Sequence, residues 1–557
     1  MKFVCALAVC LTLVSPALAV DREAFTFTKY DLDARVEPEQ QRLSVRGKIW
    51  LRNDSGFPQK NVALQISSTL VWRSITITDT PAEFSSHEYT SDIDHTGGLS
   101  EAIVNLTKDA APGTTLEIEI GYEGTIPLNA TRLTRIGVPE DKAKQNDWDE
   151  IGKATAVRGV GYVTWYPVAM DAANLSDGDS VSTTIGRWKA RNADASMDVR
   201  FESSVVQTIL FSGSEAEDAS AVKAPNFGAF HISAFELDVP TFLMGDYIKV
   251  APKEQPVVFY FPGQDDAAKT YADAASVIDT GVPNVGGVAG NLWIVGLPNP
   301  AAATFVTGSM LLAPLKLPVT NETMLNLAYA KVRSMVASRR AWIEEGLAHY
   351  GQVAFVENEA GRQTALNYLS THAVLLTEEE KTAAKGTDQD SHSLINAPDG
   401  LYLQTKSMFV WSMLRDMLGK LPADALATYR SADDRDASYM QKLIEKDSHR
   451  ELQWFFEDWV YHDRGLPDFR VESAYPHQID TGAYVVTVTI ENLGAAGAEV
   501  PVTLHIPRGD ITRRLEVRGK AKASLRIEVP TLPDEITVND GSVPESDMSN
   551  NTYKLSH

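Results

Sequence analysis

Trp342-Ile343-Glu344-Glu345-Gly346-Leu347-Ala348-His349-Tyr350 is the stretch on which the fold of this chain turns. It lies inside residues 320–459, where apolar residues recur at helical spacing. Met324, Leu325, Ala328, Val332, Met335 and Val336 make one such face before it. Met408, Val410, Trp411, Met413, Leu414, Met417 and Leu418 make another after it, with Gly419 as the stop. On a helix, Glu345 and His349 stand four apart and share a face. Glu344 and Glu345 are adjacent and point apart, so one is expected inward and the other in solvent. That geometry does not suit the paired carboxylates of glycoside chemistry.

Outward from this helical block the pattern changes to strands. From Ala24 to about Val250, runs such as Phe25 to Ala34 and Leu43 to Leu51 alternate with period two. Turn clusters, Asn53-Asp54-Ser55-Gly56 and Asp109 to Gly113, separate such runs. Short strands with regular turns predict an antiparallel sandwich. A strand over Pro256 to Phe261 and a helix over Asp266 to Ile278 open the helical part. From Asp468 the strands return, with Ala483 to Asn492 and Val500 to Ile506 bounded by turn residues. These form a small immunoglobulin-like sandwich of about 75 residues, followed by a polar end from Asn539 that is expected to fray. The expectation is a multidomain α+β chain.

The 557 residues carry 51 basic against 74 acidic side chains, a formal charge of −23, which argues against a nucleic-acid partner. The first residues read as an export leader: a short positive start at Met1-Lys2, an apolar run from Phe3 to Val14, and Ala17-Leu18-Ala19 as a cleavage site. Both cysteines, Cys5 and Cys10, fall in that leader, so the mature chain is expected to have no disulfide and no cysteine ligand. No later segment is apolar for long enough to predict a transmembrane span. The product is expected to be exported, periplasmic or secreted. No G-x-S-x-G elbow, phosphate loop or dinucleotide fingerprint is present.

In their order, these motifs resemble M1-type zinc aminopeptidases. The opening Tyr30-Asp31-Leu32-Asp33-Ala34 with Arg46 to Asp54, and the segment Asp238 to Tyr247, are similar to the family's N-terminal sandwich and its exit. Trp342 to Tyr350 resembles its W-L-x-E-G-x-A segment, and Lys406 to Gly419 its helix after Tyr-x-Lys-Gly. Trp454 to Val460 and Gly465-Leu466-Pro467 resemble its domain end. After the leader read over 1–19, the resemblance implies an N-terminal β-sandwich over 20–249, a central thermolysin-like α/β domain over 250–467, and a C-terminal β-sandwich with its polar tail over 468–557.

The resemblance also implies a chemistry that the residues do not supply. The family holds zinc through H-E-x-x-H on one helix and a glutamate on the next. Glu345 matches that glutamate. No histidine stands between His231 and His349. One spacing places the two histidine positions on Glu322 and Asn326, with Thr323 as the base. A shorter one places them on Tyr329 and Arg333, with Ala330 as the base. Glu322, Asn326, Tyr329 and Arg333 follow each other by four, three and four along one helical stripe, a polar cleft face away from the apolar one. Arg333 has no lone pair for a metal, and it is expected to pair with Glu345 in place of the ion.

Substitute metal ligands are Glu345, His349, and a distant histidine such as His372 or His392, the latter in an Asp388-Gln389-Asp390-Ser391-His392 cluster expected in a loop. Tyr402 is the candidate for the family's oxyanion tyrosine, although the family's spacing places Gln404 there. The peptide-anchoring G-x-M-E-N is absent from residues 295–312, where Gly308-Ser309-Met310 keeps only its outline. The expectation is a non-catalytic relative that binds a peptide or protein and carries no cofactor. The alternative is an active zinc aminopeptidase using substitute ligands.

Overall fold

The computed structural model describes residues 20–216, 224–250, 256–285, 292–383, 393–395 and 400–555. The leader read in residues 1–19 and the cluster from Asp388 to His392 lie outside the described residues.

The first strand shows how alternation builds the N-terminal layers. Within Phe25–Glu37, Tyr30, Leu32, Ala34 and Val36 are buried while Asp33 and Arg35 face solvent. The strand pairs antiparallel with Arg42–Asn53 and parallel with Ser196–Ser203, at the centre of an eight-stranded sheet. A second sheet, Gln59–Ser67 with Gly98–Ala110 and Phe84–Thr90, places Val62, Leu64, Leu99 and Val104 in the same core as Leu32, Val45 and Ile118. Two sheets around one core make a sandwich. The strand-only reading of this region missed one long helix, Ser180–Arg191, which buries Thr184 and Trp188.

The central sheet runs in the order Ile248–Val250, Val257–Tyr260, Trp293–Gly296, Met310–Ala313, Phe305–Thr307, with Phe305–Thr307 at its edge. The helix Asp265–Gly281, longer than its predicted extent, lays Ala268, Tyr271 and Ala275 against Val258, Ile294 and Leu311. Among the described residues four long helices follow, Asn321–Arg333, Ala341–Ala360, Arg362–Ala383 and Leu401–Leu418, with shorter ones after them. Thr320 caps the first of them by accepting a hydrogen bond from the Thr323 N–H at 3.2 Å. Gly419 ends the last in the left-handed region, at φ 73°.

The C-terminal strands form a three-stranded sheet and a four-stranded sheet. Their inward residues, Val488, Val500 and Val502 among them, share one continuous core with Trp342, Trp411 and Phe456 of the helical part. The Trp459 indole closes that junction by donating to the Gly497 carbonyl at 2.7 Å.

Over its described residues, 539–555, the polar end is held in place, contrary to its composition. Thr552–Lys554 pairs with Glu535–Val538. The carboxylate of Glu545 accepts from the Phe469 N–H and from Asn539 Nδ2, each at 3.0 Å, and also from Asn551 Nδ2. A buried acceptor thus replaces the solvent that polarity alone suggested. Burial pushes the Glu545 carboxyl up to about 7, against the pull of those donors. The folded chain therefore holds this proton to higher pH than the unfolded chain. The associated stability is present below the usual carboxylate range and is lost as pH rises through about 7. Urea midpoints measured at about pH 5 and about pH 8 are expected to show a loss of up to about 3 kcal/mol from this group. Glu545→Gln is expected to flatten that difference, whatever it does to absolute stability.

Candidate functional site

The helix Ala341–Ala360 is enclosed on two sides because two of its residues lack side chains. A Cβ on Gly346 would lie 2.6 Å from Ser407 Cβ and 2.9 Å from Trp411 Cδ1. One on Gly351 would lie 2.5 Å from Val332 Cγ2. The glycines thus admit Leu401–Leu418 against one face and Asn321–Arg333 against another. Trp342 stacks on Trp411 with ring centroids 5.5 Å apart, and the Trp411 indole donates to the Trp342 carbonyl at 3.0 Å. One consequence corrects the sequence reading: Glu344 and Glu345 are both buried, at 0% and 8% exposure. Adjacent residues do point apart, but this helix has packed neighbours in both directions.

Arg333 ends the neighbouring helix and is buried among carboxylates from two parts of the chain. Its guanidinium donates to Asp238 Oδ1 at 2.8 Å, pairs with Glu344, and approaches Glu345 Oε1 at 3.5 Å through Nε. The Tyr329 hydroxyl donates to the other oxygen of Glu345 at 2.5 Å. Burial alone would favour a neutral Arg333, but Asp238, Glu344 and Glu345 hold it firmly protonated. Burial pushes the Glu344 carboxyl well above the carboxylate range. Arg333 opposes this shift, while Asp238 and Glu345 add to it. Its remaining oxygen accepts from the Ser338 N–H at 2.5 Å.

This cluster forms the floor of a cavity of about 650 Å³. Asn326, Tyr329, Arg333, Glu345, His349 and Gln404 all line it. Glu322, the fourth residue of the stripe, is exposed and does not. Of the two candidate spacings, it is the pair Tyr329 and Arg333 that reaches Glu345. Tyr402 is elsewhere: its hydroxyl donates to Asp463 at 2.6 Å, beside the buried Lys406, which pairs with the same carboxylate at 2.7 Å. His372 packs against Tyr368 with centroids 4.5 Å apart, and it does not line the cavity.

Several lining residues were not singled out from sequence. Asp238 stood in a quoted segment whose polar character alone did not set it apart. Lys189 belongs to the missed helix, and Gln352 reads as an ordinary helix residue. Thr304 to Thr307, which include the edge strand Phe305–Thr307, form part of the wall. This is where the peptide-anchoring strand was sought.

The donor set does not fit zinc. Among the described residues no group of three or more His, Cys, Asp or Glu side chains is placed to hold a metal ion. At the floor a guanidinium, which has five N–H donors and no lone pair, already occupies the space between the carboxylates.

No protein-family model matches the chain, and no curated protein matches it. Solved structures do. An M1 zinc metallopeptidase from Deinococcus radiodurans is 13% identical, with a TM-score of 0.47 over 77% of this chain and 92% of that one. A mutant of that enzyme bound to a Tyr-Ser-Ala substrate is 12% identical, with a TM-score of 0.48 over 79% and 95%. A two-domain M1 zinc metallopeptidase mutant bound to L-arginine is also 12% identical, with a TM-score of 0.45 over 76% and 91%.

Removing one member of a buried ion cluster leaves uncompensated charge. Arg333→Ala is expected to cost about 3–5 kcal/mol in urea unfolding; an unchanged midpoint would show that the carboxylates do not depend on it. The double substitution Tyr329→His with Arg333→His sets two imidazoles four apart, facing Glu345. It is expected to retain about one zinc per chain after dialysis, read by elemental analysis.

Proposed function

We propose that this chain is an exported, periplasmic or secreted relative of the M1-type metallopeptidases in which metal chemistry is lost and the cavity binds a peptide or an extended protein segment. The observation that carries this reading is Arg333, a fixed cation paired with Glu345 and its neighbours where the resemblance calls for an ion. Such a cation balances the buried carboxylates, but it has no open coordination position and cannot activate water. The ligand class follows from the wall. Among the described residues Phe305–Thr307 pairs with Met310–Ala313 on one side only, and an edge strand that lines a cavity can take an extended backbone as an added strand. The family domain plan, a sandwich over 20–249, a thermolysin-like domain over 250–467 and a sandwich over 468–557, belongs to the same proposal.

The test has two readouts on the purified chain. Elemental analysis after incubation with zinc and dialysis is expected to find no retained metal. Titration with short peptides, followed by calorimetry, is expected to find saturable binding without cleavage. About one zinc per native chain, with peptide hydrolysis, would overturn the reading in favour of an active enzyme with substitute ligands.

A further inference from the structure

This inference rests on reading the cavity as a peptide site, and it concerns which end of a peptide the cavity recognises. Most charged groups around the cavity are already matched within the protein. Arg132 makes a two-pronged pair with Asp147 at 2.7 and 2.8 Å. Arg333 is held by its carboxylates, and Tyr329 by Glu345. Among the described residues, Lys189, Asn326 and one nitrogen of His349 line the cavity without a protein partner.

The state of His349 follows from its neighbours. The Gln352 amide nitrogen donates to the Leu325 carbonyl at 3.2 Å, which fixes the amide's orientation. Gln352 Oε1 then accepts from the Tyr368 hydroxyl at 3.2 Å and from His349 Nδ1 at 3.0 Å. A carbonyl oxygen only accepts, so Nδ1 carries a proton, and in that tautomer Nε2 keeps its lone pair. The ring packs against Tyr329 with centroids 4.9 Å apart. His349 therefore offers the cavity an acceptor suited to an N–H group.

Lys189 offers the opposite polarity. It lies on the helix Ser180–Arg191, whose Val181 and Ile185 also line the cavity. The wall thus combines an uncommitted ammonium with apolar surface.

We propose that the cavity takes the carboxyl-terminal end of a peptide. The terminal carboxylate pairs with Lys189, an apolar last side chain packs on Val181 and Ile185, and a peptide N–H donates to His349 Nε2. The amino end is the poorer fit. An incoming ammonium would look to Asp238 and Glu345, and there it would meet the Arg333 guanidinium that already holds them.

Calorimetric titration of the purified chain with N-acetyl-Ala-Ser-Leu, as free acid and as C-terminal amide, tests this. The acid is expected to bind about tenfold tighter or better, the scale of one charged hydrogen bond. Lys189→Met is expected to abolish that ratio, and His349→Phe to weaken acid and amide alike while leaving the ratio intact. Equal binding of acid and amide would overturn the inference and leave the peptide site standing. So would tight binding of N-acetyl-Ala-Asp-Leu amide, which would assign Lys189 to a side-chain carboxylate, or binding of unblocked Ala-Ser-Leu amide where the N-acetylated peptides fail. Binding of none of these peptides would overturn the peptide-site reading together with the inference.

Discussion

The interaction on which the rest depends is one guanidinium among three acidic side chains. Arg333 joins Asp238, at the exit of the N-terminal strands, to Glu344 and Glu345 on the helix Ala341–Ala360. Buried charge is costly, and a buried ion cluster is weak evidence of net stabilisation against an apolar alternative. Once the carboxylates are inside, however, their compensation is obligatory. The cluster therefore fixes how the strand-rich and helical parts meet, and that meeting shapes the cavity.

The helix geometry and the electrostatics depend on each other. Gly346 and Gly351 let neighbouring helices approach closely enough to bury Glu344 and Glu345, and that burial creates the demand for Arg333. The close approach of Asn321–Arg333 sets Gln352 beside the Leu325 carbonyl, and the amide so oriented accepts from His349. Two missing side chains thus determine both the charge balance at the cavity floor and the tautomer of the adjacent imidazole.

The legible parts of this chain were those where one periodicity dominates. Alternation in Phe25–Glu37 and Tyr484–Asn492, and the apolar spacing before Gly419, translate directly into strands and a helix. The helix Ser180–Arg191 was not legible, because its Ser and Thr content, in Ser180, Ser182, Thr183 and Thr184, matches strand and turn as well as helix. At the site, the absence of any histidine between His231 and His349 and the reach of Arg333 toward Glu345 could be read from residue types and spacing. Asp238, which lies 95 positions from Arg333, could not. Nor could the double burial of Glu344 and Glu345, because a helical wheel shows direction and not what packs there. The C-terminal end misled for a related reason: polar residues read as solvated until a buried acceptor such as Glu545 gathers their donors.

The core that runs from the helices into the C-terminal sheets, with Trp459 at the seam, has a consequence for how the chain can vary. Modules joined by a linker can be shuffled, lost or duplicated with little penalty to their neighbours. Here the sheet residues Val488, Val500 and Val502 belong to the same core as the helical residues Trp342, Trp411 and Phe456, so the two regions vary together. Drift on the outer strand faces is free, but any change of partner would have to rebuild a buried surface on both sides at once. The wall residues of the cavity can vary far more readily than the chain can exchange its C-terminal sheets.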